Sequence, residues 1–224
     1  MVVTGPGRTS WRSLAAILVL CLAGLPAGTG EAQTLSPLVP NGSEWNAVAD
    51  RLRRGGLVLF FRHADTTGMP CDRSFRVGDR AGQRNLSPEG REQARRIGER
   101  LKALGIPTAE PVLAGPVYRA RDTAEIAFGS ERVRVTDSLL ADDYAGGRLQ
   151  WVLEEHRQLF TDPMPRGVNR VLVGHRTPAI MVLGPSVGGK AFPEGAALVI
   201  EPLGPRVLGI LTLAPIPGRG FHQC

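Results

Sequence analysis

The chain has 224 residues and is 42% hydrophobic, enough to bury a core of its own, and one domain is the default at that length. Its 27 Lys and Arg exceed its 21 Asp and Glu, giving a formal charge of +6, but the basic residues are interleaved with acids, as in "GREQARRIGERLK". That pattern describes a solvated helix face. Without a basic stripe carrying interleaved aromatics it argues against nucleic acid as a partner and leaves small anions open.

At the amino terminus, Arg8 and Arg12 supply a positive region, "SLAAILVLCLAGLPAG" an apolar stretch, and "GEA" ending at Ala32 the small residues that a signal peptidase reads. This predicts a signal peptide over 1–32, a mature chain beginning near Gln33, and export to the periplasm or beyond. Gly24, Pro26 and Gly28 interrupt the apolar stretch, which is shorter than the roughly 20 residues a membrane span needs, so no stable membrane insertion is expected after cleavage. Cys21 follows Leu20, where a lipid-attachment site wants a small residue. Residues 33–41 read as a short linker, and one domain without internal repeats runs over 42–224. Cleavage leaves Cys71 and Cys224, an even pair in a compartment that permits a disulfide, with two independent thiols as the alternative. Neither has a second ligand at finger-like spacing, and no metal or cofactor is expected.

Short apolar runs predict strands at 57–61, 111–114, 133–135, 170–174, 197–201 and 207–213. Between them, Ser87 is a good N-cap and Pro88 fits the first helical position. Ala94, Ile97, Leu101 and Leu104 then recur at helical spacing until Gly105. A second helix is predicted from Pro116 with Arg119, Ala120, Ala124 and Ala127, and a third over 147–160 with Leu149, Val152, Leu153, His156 and Phe160 on one face. Strands alternating with helices predict an α/β fold, three layers α/β/α around a mostly parallel central sheet.

In such a sheet ligands sit at the carboxyl ends of the strands. The run "LVLFFRHADTTG" ends on Arg62 and His63, and "RVLVGH" ends on His175, which delivers two histidines to one edge. A neutral imidazole can attack phosphorus while nearby cations neutralise the phosphoryl oxygens. Arg119, in the first turn of its helix, adds a forked donor. His156 and His222 read as structural, the first on an apolar helix face and the second in a mobile tail, and Glu194 as an ordinary loop carboxylate.

"RHADT" resembles the Arg-His-Gly-Glu-Thr signature of the histidine phosphatase superfamily, also called phosphoglycerate-mutase-like. "QRNLSPEGREQARRIGERL", "VLAGPVYRARDTAEIA", "VLVGHR" and "EGAALVIEPLG" resemble its later blocks in the expected order. The resemblance implies a phosphomonoester hydrolase of the shorter branch with a phosphoglycerate-mutase-like fold. His63 would be the nucleophile that becomes phosphohistidine, Arg62, Arg119 and His175 would complete the pocket, and Thr66 and Asn85 would be lesser substrate neighbours. Ala64 and Asp65 depart from the usual Gly and Glu, and Arg176 after His175 argues against the acid-phosphatase and phytase branch. In "DSLLADDYAGG", Asp142 fits the place of the family's general acid, with Asp143 as runner-up. The implied substrate is a phosphorylated small molecule or cell-envelope component, and no oligomeric state is implied. Two alternatives stay open: a module of the same fold that binds phosphate esters without turnover, and a metal-dependent hydrolase on His63, Asp65 and His175.

Overall fold

The computed structural model describes residues 1–3, 5, 34–188 and 191–222. The signal peptide predicted over 1–32 therefore lies almost wholly outside the described residues, as does Cys224. The fold is that of the larger of two units, Ala32–Cys224. Among the described residues, no helix is long and apolar enough to cross a membrane.

Six strands form one sheet in the order β5-β4-β6-β1-β7-β8: β1 (Val58–Arg62), β4 (Val112–Ala114), β5 (Val133–Val135), β6 (Arg170–Gly174), β7 (Ala196–Glu201) and β8 (Arg206–Thr212). The first four are parallel, and β7 and β8 add an antiparallel edge. All six strands fall within a residue or two of their predicted positions. A two-stranded pair, β2 (Thr66–Thr67) with β3 (Asn85–Leu86), comes in addition.

Side-chain alternation along the strands sorts the core into two faces. Leu59 and Phe61 of β1, with Val171 and Val173 of β6, pack against α1 (Ser43–Arg54), α2 (Pro88–Ala103) and α3 (Tyr118–Phe128). Val58, Phe60 and Leu172 point the other way, onto α5 (Leu149–Thr161) and α6 (Arg176–Leu183). The three layers are thus those expected, with a central strand buried along its whole length. Helices α1 and α6 come in addition to the predicted elements, although Trp45, Val48, Ala49 and Leu52 give α1 a helical apolar stripe. Within the stretch 34–41, the Leu38 N–H donates to Ile210 O at 2.9 Å, and Pro37 forms a bridge with Ile210.

Helix α2 begins as the sequence dictates. Ser87 Oγ accepts the Gly90 N–H at 2.8 Å and donates to Asp65 Oδ2 at 2.6 Å, so one hydroxyl caps the helix and ties it to the end of β1. A cap of this kind contributes about 1 kcal/mol. A Cβ on Gly90 would stand 1.9 Å from Asp65 O, so only glycine permits this approach.

His156 lies in the apolar layer against Phe60 and Phe160, its Nδ1–H donating to Val152 O at 2.8 Å. Burial pushes its pKa down to about 4. Because the folded value lies below the unfolded one, near 6.5, the unfolded chain binds more protons between those values. The contribution of neutral His156 is therefore intact above pH 6.5 and lost as pH falls to 4, about 3 kcal/mol in all. A His156→Leu variant is expected to lose less stability than wild type over that window in urea melts; equal slopes would contradict this.

Candidate active site

The parallel register pairs Arg62 with Gly174, so the next residues, His63 and His175, leave adjacent strands side by side. Their ring centroids are 5.4 Å apart. Strand β4 leads through Gly115 into α3, which brings Arg119 to the same edge. A Cβ at Gly115 would meet Leu139 O at 2.3 Å, and this close passage sets the loop leading to α4 (Asp142–Ala145). Arg62, His63, Arg119, Asp142 and His175 thus line one cavity of about 310 Å³, together with Asp72, Arg84, Asp143, Arg176 and His222. A larger cavity, about 710 Å³, lies between the 34–39 stretch, α1 and β8, and has no histidine or cysteine among its lining residues.

The nucleophile candidate is held in one tautomer. His63 Nδ1 lies 2.9 Å from Ala64 O, and a carbonyl only accepts, so Nδ1 carries the hydrogen and Nε2 keeps its lone pair. Burial, then the charges of Arg119 and Arg62, hold this imidazole well below its ordinary pKa. His175 is lowered likewise, by burial and then by Arg119, and its Nε2 has no hydrogen-bond partner among the described residues. Both rings are therefore neutral at physiological pH. Ala64 fits the place where glycine is usual, because among the described residues positive φ outside glycine is confined to Asn41 and Leu203. Its methyl packs with Leu86 and Ala94, and its N–H donates to Thr123 Oγ1 at 2.9 Å.

The arginines are fixed by buried acids. Arg62 donates to Phe192 O at 3.0 Å and to Glu194 Oε1 at 3.2 Å, and burial pushes its pKa down to about 10. Arg119 donates to Asp72 Oδ2 at 2.8 Å, and that oxygen also accepts the Tyr144 hydroxyl at 2.6 Å. Partial burial works to raise the Asp72 carboxyl, but the Tyr144 hydrogen bond and the Arg119 charge outweigh it and hold the pKa below its usual range. The Nε atoms of Arg62, Arg84 and Arg119 lack partners among the described residues. Donors fixed in this way around a concave space suit an oxyanion with several equivalent oxygens. Asp142 behaves oppositely: partial burial, then the neighbouring charge of Asp143, raise its carboxyl pKa.

Two expected substrate neighbours lie elsewhere. Thr66 donates its hydroxyl to Glu194 Oε1 at 3.3 Å, and Asn85 spends its amide on Arg80 O and Gln83 O at 2.9 and 2.8 Å; neither lines the cavity. Glu194 is no ordinary loop carboxylate but fully buried between Arg62 and Arg84. Nor is His222 loose, since its Nδ1 lies 3.0 Å from Glu194 Oε2. Asp72, Arg84 and Tyr144 carry no local sequence signal, because their contacts join residues distant in sequence. Asp65, Glu194 and His222 bring one possible ligand atom each to within 4.8 Å, but Arg62 and Arg84, at 3.2 and 3.7 Å from Glu194, oppose a cation there. Cys71, flanked by the cavity-lining Pro70 and Asp72, is disulfide-bonded, and its expected partner Cys224 lies outside the described residues.

Residues 58–162 match the family model of the histidine phosphatase superfamily (branch 1). This stretch belongs to the histidine phosphatase superfamily. The matched stretch holds Arg62, His63, Arg119 and Asp142 and ends before His175. Over 122 residues the chain is 32% identical to an uncharacterized protein of Picosynechococcus sp., covering 53% of this chain and 66% of that protein. Among solved structures it is similar to the protein histidine phosphatase SixA complexed with tungstate, at 17% identity and a TM-score of 0.48, covering 70% of this chain and 97% of that one. It is also similar to a phosphoglycerate mutase from Thermus thermophilus, at 22% identity and a TM-score of 0.45, covering 70% and 98%.

Proposed function

We propose that this protein hydrolyses phosphomonoesters through a phosphohistidine on His63. The observation that carries the reading is the locked tautomer of His63, a neutral nucleophile whose Nε2 is left for a cavity framed by Arg62, Arg119 and His175. Nε2 attacks phosphorus, the phosphorus–oxygen ester bond breaks, and the protonated Asp142 carboxyl gives its proton to the departing alkoxide. Asp142, now a carboxylate, takes a proton from water as that water displaces His63 from phosphorus, releasing inorganic phosphate and restoring both groups. Arg62 and Arg119 neutralise the equatorial oxygens throughout. A panel of phosphorylated small molecules, incubated with purified protein in chelator, tests this: turnover that survives chelation is expected. Activity lost with the metal would sink the reading, and phosphate binding without turnover would leave a binding module.

The compartment is part of the same proposal. We infer export, cleavage near Gln33, and pairing of Cys71 with Cys224. Closing so long a loop stabilises by roughly 3–5 kcal/mol in the chain-entropy model. Intact mass after alkylation, with and without prior reduction, is expected to show both thiols modified only after reduction. Two freely alkylated thiols in unreduced protein would refute the pair.

A further inference from the structure

The stretch Arg219–His222 touches the site at four successive residues. Arg219 donates to Glu89 Oε2 at 3.1 Å and stands 3.6 Å from Asp65 Oδ2. Gly220 O accepts the Glu194 N–H at 2.9 Å, and the Gly195 N–H donates to His63 O, also at 2.9 Å, so one loop joins the tail to the end of β1. The Phe221 ring lies 5.2 Å from the guanidinium carbon of Arg62 and 4.8 Å from that of Arg176. His222 lines the cavity, with Nδ1 3.0 Å from Glu194 Oε2 and 3.3 Å from Thr66 Oγ1.

We propose that this tail is a positioning element for the phosphate-binding arginines: Phe221 fixes Arg62 and Arg176 by lying over both guanidiniums, and His222 fixes the Glu194 carboxylate that holds Arg62 and Arg84. The proposal rests on the reading of the cavity as a phosphate pocket. Arg62 has two of its three nitrogens committed, to Phe192 O and Glu194, so its plane is set by Glu194 below and by the ring beside it. A guanidinium binds phosphate well when its fork is held in advance, because ordering it at the moment of binding subtracts from affinity. Glu194 is itself an isolated buried acid unless its oxygens are filled. Oε1 takes Arg62, Arg84 and Thr66 Oγ1, and Oε2 takes His222 and the Thr66 N–H. A carboxylate only accepts, so His222 Nδ1 carries the hydrogen in that contact.

Positioning acts on affinity more than on the chemical step, and the experiment reads that split. Inorganic phosphate binding by calorimetry and steady-state kinetics with p-nitrophenyl phosphate would be compared for wild type, Phe221→Leu, Phe221→Tyr, His222→Leu and His222→Asn. Both residues are only half-buried, so the variants should fold, and their unfolding temperatures check this. The two leucine variants are expected to raise the phosphate Kd and the KM by about tenfold with kcat changed less than about threefold. Tyrosine keeps a ring over both guanidiniums and asparagine keeps a donor near the Nδ1 position, so each should recover most of the loss. Leucine variants with wild-type phosphate affinity would overturn the proposal, as would tyrosine and asparagine variants as weak as the leucine ones. If the affinities move as expected while no protein turns over the ester, the tail proposal stands and the hydrolase reading fails. Normal turnover with unmoved affinities would instead overturn the tail proposal and leave the hydrolase reading standing.

Discussion

Replacing His63 with alanine is expected to lower phosphomonoester turnover by roughly 10⁴-fold or more, because the variant lacks the imidazole on which the proposed phosphohistidine forms. His175 does not take its place in the proposed mechanism: it leaves the neighbouring strand, with its ring centroid 5.4 Å from that of His63, so its approach to the same phosphorus differs. The variant should fold. His63 follows β1 at the cavity and is not part of the apolar core, and the hydrogen bond of its side chain to Ala64 O can pass to water from the cavity. A loss of about 1 kcal/mol corresponds to roughly 2–4 °C in a chain of this size, which a thermal melt resolves. Wild-type activity should persist below pH 6.5, since the His63 pKa is depressed and its neutral form survives into mild acid. An acid limb at the ordinary imidazole value would contradict that assignment.

The second large effect belongs to Asp142. Its carboxyl pKa is raised by partial burial and by Asp143, and a bound phosphoryl group adds further repulsion, so the proton is retained above the ordinary carboxylate range. Asp142→Asn is expected to lower turnover of alkyl phosphates by about 10²–10⁴-fold, the usual worth of general acid catalysis, and of aryl phosphates by less than about tenfold, because a phenolate leaves almost unaided. The alkaline limb of the wild-type profile, set by loss of this proton, should vanish in the variant. Asp143, exposed beside it, should tolerate Asn with little change in either series. If Asp143→Asn shows the leaving-group dependence and Asp142→Asn does not, the acid is the neighbour. If neither does, this loop is not the proton donor.

The parts of the site legible in sequence are those that secondary structure delivers. An apolar run ending in Arg62 and His63, and another ending in His175, place these residues once the strands are known to be parallel neighbours, and an N-terminal turn places Arg119. Ser87 and Pro88 mark the start of α2 by chemistry that needs no tertiary context. What stays hidden in sequence depends on contacts between distant segments. Glu194 meets Arg62 across 132 residues, and Asp72 meets Arg119 across 47, and no local pattern announces either pairing. His222 escapes for the same reason, since nothing near the end of the chain signals that it returns to the site. Asn85 errs in the other direction: it sits in a block that resembles the family's, yet its amide is consumed by the backbone of the preceding turn. Helix α1 is different again, because its apolar stripe is present in the sequence beside a stretch that reads as a linker.

The phosphohistidine itself is the central claim, and rapid quenching tests it most directly. Wild-type protein mixed for milliseconds with a ³²P-labelled phosphomonoester, quenched in alkali and digested, should yield one labelled peptide whose label is stable to base, lost in acid, and carried by His63. The same treatment of His63→Ala should yield none. Label on another residue, or turnover at the wild-type rate with no labelled peptide under any quench, would contradict the mechanism.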